Sequence, residues 1–252
     1  MNGKVALVTG GSRGIGAATA LRLARGGADV AITYVAGKDA AEEVVRRIEA
    51  AGRRGLALRA YSGDAAEAAE AVARTADALG GLDILINNAG VGVLGPLENI
   101  AVTDVDRVLG VNVRGTYLTS RAAAARMGSG SRIITIGTCM PQRVPGPGGT
   151  LCAMSKTALT GLTKAPPGFA GRYPQARELG GRGITANIVH PGPIDTDMNP
   201  ADGPYAEPQK ADTALGRFGA PDEVASTVAY LAGDEAAYVT GAEFSVDGGH
   251  AA

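Results

Sequence analysis

The chain has 252 residues, of which 45% are hydrophobic and 19% charged, so it can bury a large core and is not intrinsically disordered. It carries 24 Lys and Arg against 25 Asp and Glu, and this net charge of −1 argues against a nucleic-acid partner. The first residues lack the pattern of a secretory signal, and no apolar run approaches the roughly 18 residues of a membrane helix. We therefore predict a cytoplasmic protein without a membrane partner.

Short runs rich in Val and Ile alternate along the chain with Ala-rich segments of helical period. This alternation predicts a doubly wound α/β fold, with a seven-stranded parallel sheet flanked by helices, in a single domain over residues 1–252. The predicted strands are Lys4–Thr9, Ala28–Tyr34, Arg54–Ala60, Leu82–Asn87, Ser131–Ile136, Ile184–Val189 and Glu243–Val246. The predicted helices are Gly14–Arg25, Lys38–Ala51, Asp64–Leu79, Thr103–Met127, Leu151–Ala165 and Pro221–Leu231.

Two stretches interrupt this alternation. Residues 193–216 are rich in Pro and Gly without a clear strand, which is typical of a substrate lid. Residues 166–175 read as an insertion, because Pro166 and Pro167 end the preceding helix and a last helical turn resumes only at Ala176–Leu179.

The strongest motif is a glycine-rich loop, Thr9-Gly10-Gly11-Ser12-Arg13-Gly14-Ile15-Gly16, placed between a strand and a helix. Its glycines let backbone amides and a helix N-terminus approach a pyrophosphate closely. The simpler alternative is a turn without a ligand. The two cysteines, Cys139 and Cys152, lack the spacing of a metal site or a disulfide framework, so we expect neither.

A second motif, Asn87-Asn88-Ala89-Gly90, closes the fourth strand, and together with the glycine loop it resembles the short-chain dehydrogenase/reductase family. Further matches span nearly the whole chain: Asn112, Ser155-Lys156, residues 191–196 and Asp247-Gly248-Gly249. The spacing resembles the branch of about 250 residues that includes beta-ketoacyl carrier-protein reductases. The resemblance implies a Rossmann-type fold and hydride transfer between a nicotinamide and a small or carrier-borne ketone.

The resemblance also assigns the site. Cofactor contacts are expected from Gly10, Ser12, Arg13, Gly14, Ile15, Gly16, Tyr34, Tyr61, Asn88, Ala89, Gly90, Lys156, Pro191, Gly192, Ile194 and Thr196. The family's catalytic Asn and Lys match Asn112 and Lys156, and Thr138 stands at the position of its Ser. Cys152 stands four residues before Lys156, where the family has its proton-donating Tyr.

Three interpretations of Cys152 stay open. A water relays a proton from Lys156 in a slow reductase. Alternatively, the protein binds cofactor with little turnover and has a structural or regulatory role. In the third, Cys152 acts as a reactive thiol, since the charge of Lys156 favours the thiolate.

We expect NADP(H) rather than NAD(H), because Tyr34 replaces the acid that ends the second strand in NAD-preferring members, and Arg13, aided by Lys38, can pair with a 2′-phosphate. Tyr61 stands at the position of an Asp that contacts adenine in many members, and its ring can stack on the base instead.

Three further side chains and the oligomeric state can also be predicted from the sequence. His190 is either a scaffold residue or an acid near the nicotinamide. Tyr173, about twenty residues downstream of Cys152, is a candidate substitute for the missing Tyr, but nothing in the sequence places its hydroxyl in the site. Tyr117 fits a core position on a helix. A homo-oligomer, dimer or tetramer, is implied by the resemblance, although the insertion breaks one of the helices that would pack between subunits.

Overall fold

The computed structural model describes residues 1–142, 147–164 and 174–252. Within these residues seven parallel strands form one sheet in the order β3-β2-β1-β4-β5-β6-β7. The strands are β1 Val5–Val8, β2 Asp29–Tyr34, β3 Gly55–Arg59, β4 Ile84–Asn87, β5 Arg132–Ile136, β6 Thr185–Pro191 and β7 Glu243–Val246. The predicted sheet is confirmed, and each end of a strand lies within two residues of its predicted position.

Helices cover both faces of this sheet. They are α1 Gly14–Arg25, α2 Lys38–Ala50, α3 Ala65–Leu79, α4 Val102–Leu109, α5 Thr116–Ala124, α6 Thr150–Thr163, α7 Gln175–Gly180, α8 Ala206–Ala211 and α9 Pro221–Ala232. Helices α1, α2 and α9 bury their apolar side chains in one core, and α3, α5 and α7 bury theirs in the other. No helix of the described residues is long and apolar enough to cross a membrane.

Strand β1 explains why both faces need a cover. Side chains alternate across a strand, so Val5 and Leu7 enter one core while Ala6 and Val8 enter the other. All four are at most 5% exposed. An unbroken apolar run is therefore the sequence of a strand buried on both sides.

The predicted helix Thr103–Met127 is wrong as one element. It divides into α4 and α5, separated by a π-helical segment over Gly110–Gly115. Tyr117, predicted as a core residue, is 54% exposed on α5. Residues 193–216, which the sequence predicts to be a lid, contain a short helix, α8, that the sequence did not predict.

Two helices border the region of the predicted insertion, residues 166–175. Helix α6 ends at Thr163, ahead of Pro166, and α7 includes the resumed turn Ala176–Leu179. Residues 166–173, with Tyr173, lie outside the described residues.

Candidate active site

The two predicted motifs meet at one edge of the sheet. Strands β1 and β4 are neighbours, with Ala6 paired to Ile84, and the strand order changes direction between them. The glycine loop follows β1 and the Asn88–Gly90 loop follows β4. Open α/β sheets bind ligands in the crevice at such a switch point, beyond the carboxyl ends of the strands.

Side-chain hydrogen bonds join these two loops. The Thr9 hydroxyl oxygen accepts from the backbone N–H groups of Asn88 and Ala89, each at 3.0 Å. The Asn88 side-chain amide donates in return to the carbonyls of Thr9 and Gly10, also at 3.0 Å. Thr9 and Asn88 therefore fix the position of the glycine loop before any ligand binds.

The glycines are required by contact and by backbone conformation. A Cβ on Gly16 would collide with the Gly10 carbonyl oxygen and lie 2.5 Å from the Asn88 side-chain nitrogen. Gly10 and Gly14 have φ of 64° and 54°, in the left-handed region that favours glycine. Among the described residues, no side chain caps the N-terminus of α1, so its N–H groups are available to an anion.

The residues predicted to contact the adenosine end of the cofactor contact other protein groups in this structure. Arg13 lies 4.0 Å from Asp197 of the lid, and both side chains are exposed. Lys38 lies 3.3 Å from Glu42. Tyr61 is 38% exposed, and its ring lies against the Gly63 backbone, where a Cβ would come within 2.8 Å of it.

The start of the lid contacts the glycine loop. Thr196 lies beside Gly14, with its methyl group 3.4 Å from the place of a Gly14 Cβ. Gly192 donates its N–H to Val246 O at 3.0 Å and packs on Asp247, whose Cα would be 2.6 Å from a Gly192 Cβ. Of these residues, Thr196 therefore lies beside the glycine loop, whereas Gly192 lies against the loop that follows β7.

Asn112 lies in the π-helical segment and is fully buried. Its side chain accepts from Val91 N at 2.9 Å and donates to Val91 O at 3.0 Å and to the Ser155 hydroxyl at 3.1 Å. Ser155 donates in turn to Cys152 O at 3.0 Å. Asn112 therefore links the loop after β4 to the helix that carries Cys152 and Lys156. π-helical turns are frequent at functional sites.

Lys156 points into the crevice between the loops. Its Nζ donates to Ile136 O, at the end of β5, at 2.9 Å, and lies 3.4 Å from the place of a Gly90 Cβ. Burial disfavours the charged amine and lowers the pKa of Lys156 to about 8, against a smaller opposite effect of Cys152. Thr138 follows two residues after Ile136, so β5 and α6 bring Thr138 and Lys156 to one edge of the sheet.

The prediction that Cys152 shifts toward the thiolate is wrong in its net direction, although the charge of Lys156 acts as predicted. Burial raises the pKa of the half-buried Cys152 thiol, and the charge of Lys156 lowers it by less. Cys139 is buried as well, and burial, with a smaller contribution from Asp247, raises its pKa to about 11. Both cysteines are free thiols, and both carry their protons at neutral pH.

His190 lies behind this site and not in the crevice. It is 1% exposed, and its Nδ1 lies 2.8 Å from the Thr138 carbonyl oxygen. This position favours the scaffold interpretation over the acid.

Sequence reasoning did not assign roles to Thr9, Val91 and Ser155, which support the predicted site residues. Thr9 was detectable, since it directly precedes the glycines. The contacts of Val91 and Ser155 with Asn112 depend on the π-helical segment, for which the sequence carries no clear signal.

Known proteins resemble this chain over nearly its full length. A family profile described as enoyl-(acyl carrier protein) reductase matches residues 10–251. The cyclic-di-GMP-binding biofilm dispersal mediator protein of Escherichia coli K12 is 42% identical over 98% of this chain and 96% of its own length. The 3-oxoacyl-[acyl-carrier-protein] reductase of Synechocystis is 38% identical over 99% of this chain and 97% of its own.

A solved structure extends this agreement to the fold. A short-chain dehydrogenase from Burkholderia cenocepacia J2315, in complex with NADP, is 50% identical, has a TM-score of 0.95 and covers 100% of this chain and 99% of its own. The chain belongs to the short-chain dehydrogenase/reductase family of oxidoreductases. The predicted family and its oxidoreductase class are thereby confirmed.

Proposed function

We propose that this protein reduces a ketone to an alcohol with NADPH, at the crevice between the glycine loop and Lys156. The observation that carries the proposal is the position of Lys156, beside Gly90 and at the end of β5, with its pKa lowered to about 8. A group with a pKa near the working pH is well suited to proton transfer. Residues 1–252 act as a single domain in this proposal, with 193–216 as the substrate lid.

The residues at the switch point fit a dinucleotide. Gly10, Gly14 and Gly16 leave room for a pyrophosphate against the uncapped N-terminus of α1. Tyr34 at the end of β2 offers no carboxylate to repel a 2′-phosphate, and the exposed guanidinium of Arg13 can pair with that phosphate. The relative from Burkholderia cenocepacia, which is in complex with NADP, supports this choice. When bound, NADPH supplies the hydride.

Lys156 supplies the proton that the product alcohol needs. The Cys152 thiol is several bonds shorter than the Tyr phenol that the family has, so a water bridges Lys156 and the substrate oxygen. The Thr138 hydroxyl donates a hydrogen bond to the substrate carbonyl. Asn112 holds the Gly90–Val91 loop and α6 in register through its bonds to Val91 and Ser155.

The lid favours a free ketone over a carrier-borne one. Between Pro193 and Gly216 it carries one lysine and five carboxylates: Asp195, Asp197, Asp202, Glu207 and Asp212. A carrier-borne chain arrives on a phosphopantetheine arm whose phosphate is anionic, and like charges disfavour its approach. Met198 and Tyr205 are 67% and 72% exposed on the same lid and suit an apolar substrate body.

Two further properties stay predictions. A homo-oligomer, dimer or tetramer, is supported by exposed apolar side chains on two helices, Tyr117 on α5 at 54% and Met154 on α6 at 48%. Light scattering in solution would measure its size. A cytoplasmic location is supported by the two free thiols.

The second candidate is a cofactor-binding protein with little turnover. Cys152 favours it, because loss of a positioned general acid costs roughly 100-fold to 10,000-fold in rate. The Escherichia coli relative is named for nucleotide binding and not for a reaction. Thiol chemistry at Cys152 is the weakest of the three interpretations, since its raised pKa leaves little thiolate.

The deciding experiment follows NADPH oxidation over a panel of free ketones, with Cys152→Tyr and Lys156→Met in the same assay. NADPH binding is measured separately by fluorescence titration. Turnover by the unaltered protein that is lost in Lys156→Met supports the reductase. Binding without turnover, together with activity in Cys152→Tyr, supports the second candidate. Failure of every variant to bind NADPH refutes both.

A further inference from the structure

His190 occupies a buried position between three elements. It lies near the end of β6, with its ring against the loop Gly137–Cys139 that follows β5. Nδ1 is 2.8 Å from Thr138 O, and Nε2 is 3.3 Å from a carboxylate oxygen of Glu243 on β7. The other oxygen of Glu243 is 2.6 Å from Lys164, at the end of α6. The imidazole thus connects the Thr138 loop to a charged pair.

The bond to Thr138 defines which ring nitrogen carries hydrogen. A carbonyl oxygen only accepts, so Nδ1 is the donor. Burial lowers the pKa of His190, with Glu243 and the Thr138 bond opposing this and Lys156 adding to it. The ring is therefore neutral at physiological pH, with its single hydrogen on Nδ1 and directed at Thr138.

The ring of His190 holds one carbonyl group of the loop that follows β5. Gly137 donates its N–H to Val189 O at 2.7 Å, and Cys139 donates its N–H to Pro191 O at 2.9 Å. These backbone bonds continue the pairing of β5 with β6. The carbonyl of Thr138, between them, is held by the side chain of His190. The fit is close, because a Cβ on Gly137 would lie 2.5 Å from Nδ1.

We propose that His190 is a positioning residue for Thr138, which it holds through the carbonyl so that the hydroxyl meets the substrate oxygen. Glu243, which pairs with Lys164, lies on the other side of the ring, 3.3 Å from Nε2. The consequence for catalysis rests on the function proposed above for Thr138. The hydrogen bond itself does not, so it is tested separately.

The first test uses the thiol of Cys139 as a reporter of the loop. Cys139 is 3% exposed and adjacent to Thr138, and Cys152→Ser leaves it as the single thiol of the chain. His190→Leu removes the donor, whereas His190→Asn keeps an N–H at the place of Nδ1. We expect N-ethylmaleimide to label Cys139 about tenfold faster in the Leu variant, because an unpaired buried carbonyl destabilises its loop. The Asn variant should stay within about threefold of the parent.

A matched control separates the loop from global stability. Val44→Ala truncates a side chain that is 4% exposed in the core beneath α2, far along the chain from the site. It should lower the melting temperature without faster labelling of Cys139 under native conditions. Equal labelling rates in the parent, Leu and Asn proteins would overturn the proposal. So would equally fast labelling in the Leu and Asn variants.

The second test measures turnover, in the unaltered chain or in Cys152→Tyr if only that variant is active. His190→Leu should lower kcat about tenfold with KM for NADPH unchanged, and His190→Asn should restore most of it. An unchanged kcat in the Leu variant, or no rescue by Asn, would overturn the catalytic part. If every protein is inert, the proposed reductase fails, while the labelling result still decides whether His190 holds Thr138.

Discussion

Raising the pH from about 7 to about 9 is expected to slow ketone reduction, because the proposed proton source, Lys156, loses its proton. Burial lowers the pKa of Lys156 to about 8. The ammonium is the donating form, so the donor fraction falls from about nine-tenths at pH ~7 to about one-tenth at pH ~9. The rate should therefore fall about tenfold between these values. A lysine with the ordinary pKa of 10.5 would give a nearly constant rate over this range.

The assay measures kcat for a ketone at saturating NADPH from pH 6.5 upward in half-unit steps, in buffers of constant ionic strength. Lys156→Arg is the informative variant, since a guanidinium stays charged throughout this range. Whatever activity it keeps should not fall near pH 8. A constant rate between pH 7 and 9 in the unaltered protein would refute the assignment of Lys156 as proton source.

The titration of Lys156 does not itself destabilise the folded protein over this range, because the contribution of Lys156 to stability changes in the opposite direction. The pKa of Lys156 is lower in the folded state than its ordinary value of 10.5. Between about 8 and 10.5 the unfolded chain therefore binds more protons at this residue, and its contribution to stability grows as the pH rises. Melting temperatures measured beside the rates should show no loss attributable to Lys156 between pH 8 and 9.

Three further outcomes follow from the contacts in the crevice. Arg13→Gln should weaken NADPH binding about tenfold and leave NADH binding within about twofold, because only NADPH has a 2′-phosphate. Fluorescence titration measures both affinities, and an equal loss for the two cofactors would contradict this prediction. Gly16→Ala should prevent NADPH binding, since its Cβ would collide with the Gly10 carbonyl oxygen. The control Gly161→Ala, which has nothing within 4 Å of its Cβ, should bind NADPH normally in the same titration. Cys152 should react with iodoacetamide more slowly than a free thiol at pH 7, because burial raises its pKa; faster reaction, measured by mass spectrometry, would restore the thiolate interpretation.

The strands were predictable because burial on both faces leaves a continuous apolar run. Most helices were predictable because their apolar residues recur with the helical period. The division of the predicted helix Thr103–Met127 was not. A π-helical segment changes the helical period by a single residue, and the apolar pattern continues across Gly110–Gly115. The reason for Gly115 appears only in three dimensions, where the Ser62 carbonyl oxygen lies 2.8 Å from the place of its Cβ. The lid helix α8 is short and contains Pro208, so it carries little periodicity.

The motifs identified the loops of the candidate site, while the electrostatics of its centre depended on burial. Sequence shows that Cys152 and Lys156 are one helical turn apart, which favours a thiolate. It does not show that both groups are removed from water, an effect that raises the pKa of the thiol and lowers that of the amine. For this pair the cost of burying charge exceeds the attraction between the two groups.

The departures from the family pattern share a property that explains why the fold tolerates them. At three of these positions, main-chain atoms make hydrogen bonds that do not depend on which side chain is present. Tyr61 N donates to Glu67 at 2.7 Å, Thr138 O accepts from His190, and Cys152 O accepts from Ser155 at 3.0 Å. Side chains at these positions can therefore change without loss of the scaffold. Accordingly, Cys152→Tyr should fold with a melting temperature within about 4 °C of the parent, since the half-buried residue borders the open crevice. A larger loss in differential scanning calorimetry would mean that Cys152 is needed for packing, and the acid could not then be restored on this backbone.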